Sequence, residues 1–290
     1  MNRQRRPTAA QIRRRRWVAV IVLALLATAA VYFALTATVF APVDEHGAKV
    51  EHLTVHSQAV HQNLGVAVVT PAKAPPRGER TLLVFLHGRG GSDGTFTGNE
   101  AVYEGLAKLG RRAPVLAFPD GADHSYWHDR DSGDWGRYVM REVIPTVVER
   151  FGVDPRRVAI GGISMGGFGA YDLALLHPQR FCAVGGHSPA LWFEGGETAP
   201  GAFDDAADFN RNDVVGMVHG NPDAFAGMRV WNDYGDADPF RVYDEGFVDY
   251  LRADGADLSA HSGSGGHDNA YWNRHWAAYL RFYANALANC

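Results

Sequence analysis

The sequence predicts an α/β fold, a mainly parallel central sheet covered by helices, behind one N-terminal transmembrane helix. Three observations carry this expectation. From Thr81 onward, short apolar runs alternate with segments of helical period, the pattern of βα units that build a parallel sheet. Before residue 80, two runs alternate apolar and polar residues as a half-buried antiparallel pair does. Residues 17–41 hold no charge at all and follow a cluster of arginines.

In chain order, residues 1–16 form a basic arm expected on the cytoplasmic side, and residues 17–41 read as a signal anchor. The run WVAVIVLALLATAAVYFALTATVFA meets the length of about 20 apolar residues that a bilayer requires. It exceeds the usual core of a cleaved signal peptide, about 7–15 residues, and its best small-residue cleavage site, Val39-Phe40-Ala41, is followed by Pro42. Arg3, Arg5, Arg6 and Arg13–Arg16 precede it, so the positive-inside rule places the rest of the chain outside the cytoplasm, attached to the cell membrane, or secreted if the segment is cut. A twin-arginine export signal fits less well, because four arginines stand in a row.

Residues 42–80 hold a short tether and the strands predicted at Val50–Val55 and Leu64–Val69, closed by a proline-rich break from Pro71 to Arg80. Residues 81–290 form the core. Strands are predicted at Leu82–Leu86, Val115–Phe118, Val158–Gly161, Cys182–Gly185, Met228–Tyr234 and Ala256–His261. Helices are predicted at Glu100–Leu109, Trp135–Phe151, Met165–Leu176, Phe240–Ala253 and Tyr271–Leu287. Residues 191–227, rich in Asp, Gly and Asn, lack a long apolar period and read as an insertion of short helices and loops. In such sheets function sits on loops at the carboxyl ends of the strands.

Composition narrows the chemistry. With 290 residues, 46% hydrophobic and 21% charged, the chain has room for one large α/β body plus a short extra segment. Without the seven leading arginines, 21 basic residues face 32 acidic ones, a net charge of −11. So acidic a body lacks the basic footprint of a nucleic-acid binder. Two cysteines are too few for a disulfide scaffold, and Cys182, in the apolar run Phe181-Cys182-Ala183-Val184, reads as a small core residue. No zinc-ligand spacing is present.

Ester cleavage at neutral pH needs a nucleophile, a base, a group that orients the base, and donors for the tetrahedral oxyanion. Gly162-Ile163-Ser164-Met165-Gly166 places Ser164 directly between a predicted strand and a predicted helix, as a nucleophile elbow requires. The same pattern at Gly90-Gly91-Ser92-Asp93-Gly94 sits in a glycine loop with no helix behind it. His87-Gly88-Arg89-Gly90-Gly91 follows a strand where hydrolases place an oxyanion loop, which assigns the oxyanion hole to the N–H groups of Arg89 and Met165. His267, in a glycine loop after the last strand, fits the chain order Ser, Asp, His and is the expected base. Of the acids after the strand at Met228–Tyr234, Asp233 is still in the strand and Asp236 suits a turn cap, whereas Asp238 precedes Pro239, whose ring restricts its neighbour. Asp238 is the expected third member. The group His124, His128, Asp129 and Asp131 reads as a solvated loop at the cleft mouth in preference to a metal site, and the early histidines as exposed residues.

His87-Gly88-Arg89-Gly90-Gly91, Phe118-Pro119-Asp120-Gly121, the stretch Gly162 to Ala170, Gly235-Asp236-Ala237-Asp238-Pro239-Phe240, and Gly266-His267-Asp268 with Tyr271-Trp272 together resemble the esterase D family. That family includes S-formylglutathione hydrolases, feruloyl esterases and the antigen 85 mycolyltransferases. The resemblance runs from about Thr81 to Leu287 and implies the α/β-hydrolase fold, with acyl-ester chemistry through a Ser–Asp–His triad without metal or organic cofactor. The expectation is therefore an exported serine esterase acting on small or cell-envelope acyl esters through an acyl-enzyme. An acyltransferase to an envelope sugar or lipid alcohol would use the same triad. A non-catalytic envelope-binding module is the rival of another class.

Overall fold

The computed structural model describes residues 43–290 and, of the preceding segment, Leu23, Ala27 and Thr28, which are helical. The chain divides into an N-terminal unit, Met1–Val43, and a larger unit, Asp44–Cys290. The basic arm and most of the expected span over residues 17–41 lie outside the described residues. Among the described residues no helix is long and apolar enough to cross a membrane. This corrects the expected transmembrane helix, the membrane as a partner, and single-pass placement at the cell membrane. An uncharged run supplies only the composition of a span, whereas crossing takes one continuous helix of about 20 apolar residues. The longest described helix has 20 residues, but Arg274 and Arg281 interrupt it and its aromatic face is buried.

The larger unit contains β1 (Lys49–Ser57), β2 (Gln62–Thr70), β3 (Arg80–Leu86), α1 (Glu100–Leu109), β4 (Val115–Pro119) and a short hairpin, β5 (Asp129–Arg130) with β6 (Gly133–Asp134). A helical stretch, α2 (135–151), leads to β7 (Val153–Ile163), α3 (Met165–Leu176) and β8 (Ala183–His187). Then come α4 (Ala206–Arg211), α5 (Val214–Val218), β9 (Arg229–Gly235), α6 (Arg241–Ala253), β10 (Leu258–Gly263) and α7 (Asn269–Ala288). Eight strands form one sheet in the order β1-β2-β4-β3-β7-β8-β9-β10. β1 and β2 pair antiparallel and β2 runs antiparallel to β4, whereas every pair from β4 to β10 is parallel.

Burial explains the strand patterns. β1 lies at the edge and buries only Leu53, Val55 and Ser57, every second residue, whereas β4 and β8 are buried throughout and β3 after its first residue. Central parallel strands covered on both faces are continuous apolar runs for this reason. α3 is buried from Met165 to Ala174 on all sides, so it shows no polar stripe. α7 buries Tyr271, Trp276, Tyr279, Leu280 and Tyr283 at helical spacing against the sheet.

Three details differ from the sequence pattern. β7 begins at Val153, with a register shift against β3 between Arg80 and Leu82. α2 contains a π-helical segment, Tyr138–Val143, just before Pro145, whose missing N–H breaks the regular ladder. Cys182, buried as expected, is also disulfide-bonded to Cys290 at the C-terminus.

Candidate active site

β7 delivers Ser164 to the carboxyl edge of the sheet. Ser164 is held at φ 57°, a left-handed conformation that a non-glycine residue adopts only under constraint. The constraint is visible in its backbone: its N–H donates to His187 O (3.1 Å), and its carbonyl accepts from Phe168 N (3.0 Å) and Ala190 N (3.1 Å). The flanking glycines are sterically required. A Cβ on Gly166 would lie 2.1 Å from Leu86 O, and one on Gly162 would lie 2.4 Å from the Gly166 backbone. Met165 opens α3, so its N–H is among the helix-start amides that have no partner within the helix.

His267 and Asp238 reach the same point from two loops bonded to each other. Asp236 N donates to Gly263 O (2.8 Å) and Ala237 N to Gly265 O (2.9 Å), which ties the loop after β9 to the loop after β10. Asp268 caps α7 by accepting from Tyr271 N (2.9 Å), fixing the residue that follows His267. His267 Nε2 then lies 2.8 Å from Ser164 Oγ, and its Nδ1 lies 3.0 and 3.2 Å from the two Asp238 oxygens. The Asp238 carboxylate is fully buried while the His267 side chain keeps 22% of its exposure. Burial raises the Asp238 pKa, but the hydrogen bond and charge of His267, the Phe240 N–H and the Ser188 hydroxyl outweigh it and hold the group below the usual carboxylate value. Asp238 is therefore a fixed anion. Phe240 and Trp272 flank the His267 ring at centroid distances of 5.3 and 5.2 Å.

The glycine loop after β3 sits against the elbow: a Cβ on Gly88 would lie 3.3 Å from both Ser164 Cβ and Ile163 O. His87, fully buried, anchors it. Its Nε2 accepts from Gly121 N (2.9 Å) and its carbonyl accepts from Trp127 Nε1 (3.1 Å). His87 thus supports the loop that sets Gly88 against Ser164 and carries Arg89 directly after it. Arg89 itself is exposed, and its side chain hydrogen-bonds Tyr126.

Sequence reasoning missed a second His–Asp pair behind the first. His187 Nδ1 lies 2.7 Å from Asp233 Oδ1, and Asp233 also accepts from Trp231 Nε1 and Tyr279 OH, both at 2.7 Å. His187 Nε2 faces Tyr283 OH at 3.0 Å, not the neighbouring Ser188. Ser188 instead accepts from Trp272 Nε1 (3.1 Å) and hydrogen-bonds Asp238. Burial lowers the His187 pKa, and His187 with the tyrosine and tryptophan donors keeps Asp233 below the usual value against its own burial. This pair is a closed structural knot whose partners lie 46 and 96 residues apart, beyond any local motif.

Other expectations resolve individually. Ser92 is exposed and engaged in a local turn with Gly94 and Thr95. Asp236 is exposed and bonds through its backbone. His46, His52, His56 and His61 are exposed as expected. His128 is not solvated: it is 1% exposed and bonds Asp208 Oδ2 at 3.1 Å, because the insertion covers it. Among the described residues, the only metal-type group whose ligand atoms all lie within 4.8 Å of one another is His46, Glu100 and Glu104, all exposed.

A crevice of about 280 Å³ is lined by Ile163, which precedes Ser164, and by Trp272, which packs on His267, with Asn99, Asn269 and Asn273 at its border. Trp192, from the stretch 191–227, packs on Phe240 at 5.7 Å, and Phe240 in turn packs on His267.

The Esterase family model, described as "Putative esterase", matches residues 57–283. An esterase of Mycobacterium tuberculosis is 26% identical over 156 residues, 50% of this chain and 33% of that protein. The match thus spans about a third of the length of that curated relative. The acetyl esterase of Caldicellulosiruptor saccharolyticus is 22% identical over 254 residues, 78% of this chain and 94% of that one. A ferulic acid esterase structure superposes with a TM-score of 0.73 at 22% identity, covering 82% of this chain and 98% of that one.

Proposed function

The chain belongs to the esterase family of serine hydrolases with the α/β-hydrolase fold, and on that premise we propose that it cleaves carboxylic esters with Ser164 as nucleophile, His267 as base and Asp238 as orienting acid. The observation that carries this reading is the unbroken chain of contacts from Ser164 Oγ through His267 to Asp238, 2.8 and 3.0 Å long. Ser164 Oγ attacks the ester carbonyl while His267 Nε2 takes its proton, and buried Asp238 stabilises the imidazolium through Nδ1–H. The N–H groups of Met165 and Arg89 receive the tetrahedral oxyanion. His267 then returns its proton to the departing alcohol, which leaves an acyl-Ser164 ester. Water, activated by His267, attacks that ester and releases the acid.

Within the family, the five motifs favour the branch of esterase D and antigen 85. The crevice beside Trp272, walled by Trp272 and Trp276 with Asn269 and Asn273 at its border, is assigned to the alcohol portion. If an alcohol bound there in place of water, the same acyl-enzyme would serve acyl transfer; product analysis with and without added alcohol separates the two. Ser164→Ala should remove hydrolysis of p-nitrophenyl acetate. Hydrolysis by that variant at the parental rate would overturn the reading.

A further inference from the structure

Away from Ser164, between α2 and α3, lies a cavity of about 540 Å³ whose inner wall holds Asp172, His128 and Asn212 and whose apolar sides are Met140, Leu173 and Leu176. Asp172 is fully buried, and neither carboxyl oxygen has a hydrogen-bond partner. Nothing in the ester-cleaving site uses it. His128 is equally enclosed. Its Nε2 bonds the Asp208 carboxylate, which already accepts from Asp204 N and Asn212 Nδ2, so the proton resides on Nε2 and Nδ1 is a bare acceptor without a partner. Burial and the negative charges of Asp129 and Asp208 push the Asp172 pKa well above its usual value.

Orphaned buried polar atoms are rare in native interiors and costly. Here they line one cavity: His128 Nδ1 can only accept, and the Asp172 carboxyl, whose raised pKa favours its neutral form when nothing charged faces it, accepts at both oxygens once a cation beside it favours the ionised form. A ligand that satisfies them must donate, and the surrounding carboxylates favour a donor that is positively charged. A metal ion does not suit: no three ligand atoms among Asp172, His128 and Asp129 meet within 4.8 Å. The alkyl walls accept a hydrocarbon spacer, and Arg137 and Arg141 stand at the exposed rim. We propose that this cavity binds a linear amino-acid-like zwitterion, its primary ammonium group donating to Asp172 and His128 and its acid group facing Arg137 and Arg141. The cavity is lined by none of Ser164, Asp238 and His267; α3, which follows Ser164 directly, carries Asp172.

The probe is 6-aminohexanoate, with hexanoate and a neutral hexanediol as controls, followed by ligand-detected NMR on the full chain. Saturable binding of 6-aminohexanoate is expected, with little or none for the controls. Asp172→Leu should weaken it by about ten-fold or more, as for a lost hydrogen bond to a charged group. Because a core variant can misfold, Leu176→Trp is the second test: Leu176 is 47% exposed, and the larger ring should fill the cavity and block binding without disturbing the fold. Both variants should keep p-nitrophenyl acetate hydrolysis. Equal binding of hexanoate or hexanediol, absence of 6-aminohexanoate binding, or binding untouched by Leu176→Trp would each overturn the proposal.

Discussion

The proposed chemistry rests on where single atoms sit. Ser164 Oγ meets His267 Nε2, whereas Ser188, the other serine with a left-handed backbone near the site, meets Trp272 and Asp238 and has no histidine nitrogen against it. Ser188→Ala should therefore lower turnover modestly, by loss of one support for Asp238, while Ser164→Ala abolishes it; kcat for both variants checks this. Asp238→Asn should cost on the order of 10⁴ in kcat, because the imidazolium loses its counter-charge and tautomer control. Asp236→Asn should leave kcat near parental. Asp238 also makes a pH prediction. Its folded pKa is depressed below the usual 3.8, so the stability it contributes is present above that value and is lost as pH falls through the folded one. The gap in Tm between parent and Asp238→Asn should thus close as the pH is taken from 6 to below 3, and a gap that stays constant would contradict the assignment.

At the scale of elements, the elbow is a packing problem as much as a catalytic one. Gly166 lets the first turn of α3 touch Leu86, and a methyl there would meet a carbonyl at 2.1 Å. Gly166→Ala should cost about 1–3 kcal/mol of stability, as overpacking does, and also displace Ser164; urea melts and kcat together check this. These elements were the legible part of the sequence. The strand–Ser164–helix pattern marked the elbow, and α3 runs over Met165–Leu176 as its apolar pattern predicts. Asp238 stood out in the sequence through the turn before Pro239, and the fold places its carboxylate against His267 Nδ1. What escaped notice depended on distant partners. His187 acquires its role only from Asp233 and Tyr283, and His128 looked solvated because the insertion that buries it follows about 80 residues later. The uncharged run at residues 17–41 misled for another reason: hydropathy describes composition, and no described helix has both the length and the apolarity of a span.

For the whole molecule, the larger unit is closed by one covalent link. Cys182, at the entry to β8, and Cys290, after α7, stand 108 residues apart in sequence. In the chain-entropy view a link of that span stabilises by up to about 4–5 kcal/mol through the unfolded state. Cys182→Ser with Cys290→Ser should lower Tm, by about 2–4 °C for each kcal/mol lost in a domain of this size, while leaving kcat close to parental, since the link lies away from the loops that hold Ser164, Asp238 and His267. Calorimetry of the oxidised and reduced protein provides the same comparison without mutation. The fold in turn presents Ser164 at a strand end where two bonded loops supply base and acid, and this is the claim on which the functional account stands. Labelling the protein with a fluorophosphonate and mapping the adduct by peptide mass spectrometry tests it most directly: the account predicts a single adduct on Ser164 that disappears in Ser164→Ala, and an adduct on Ser188, on Ser92 or on an unchanged Ser164→Ala protein would contradict it.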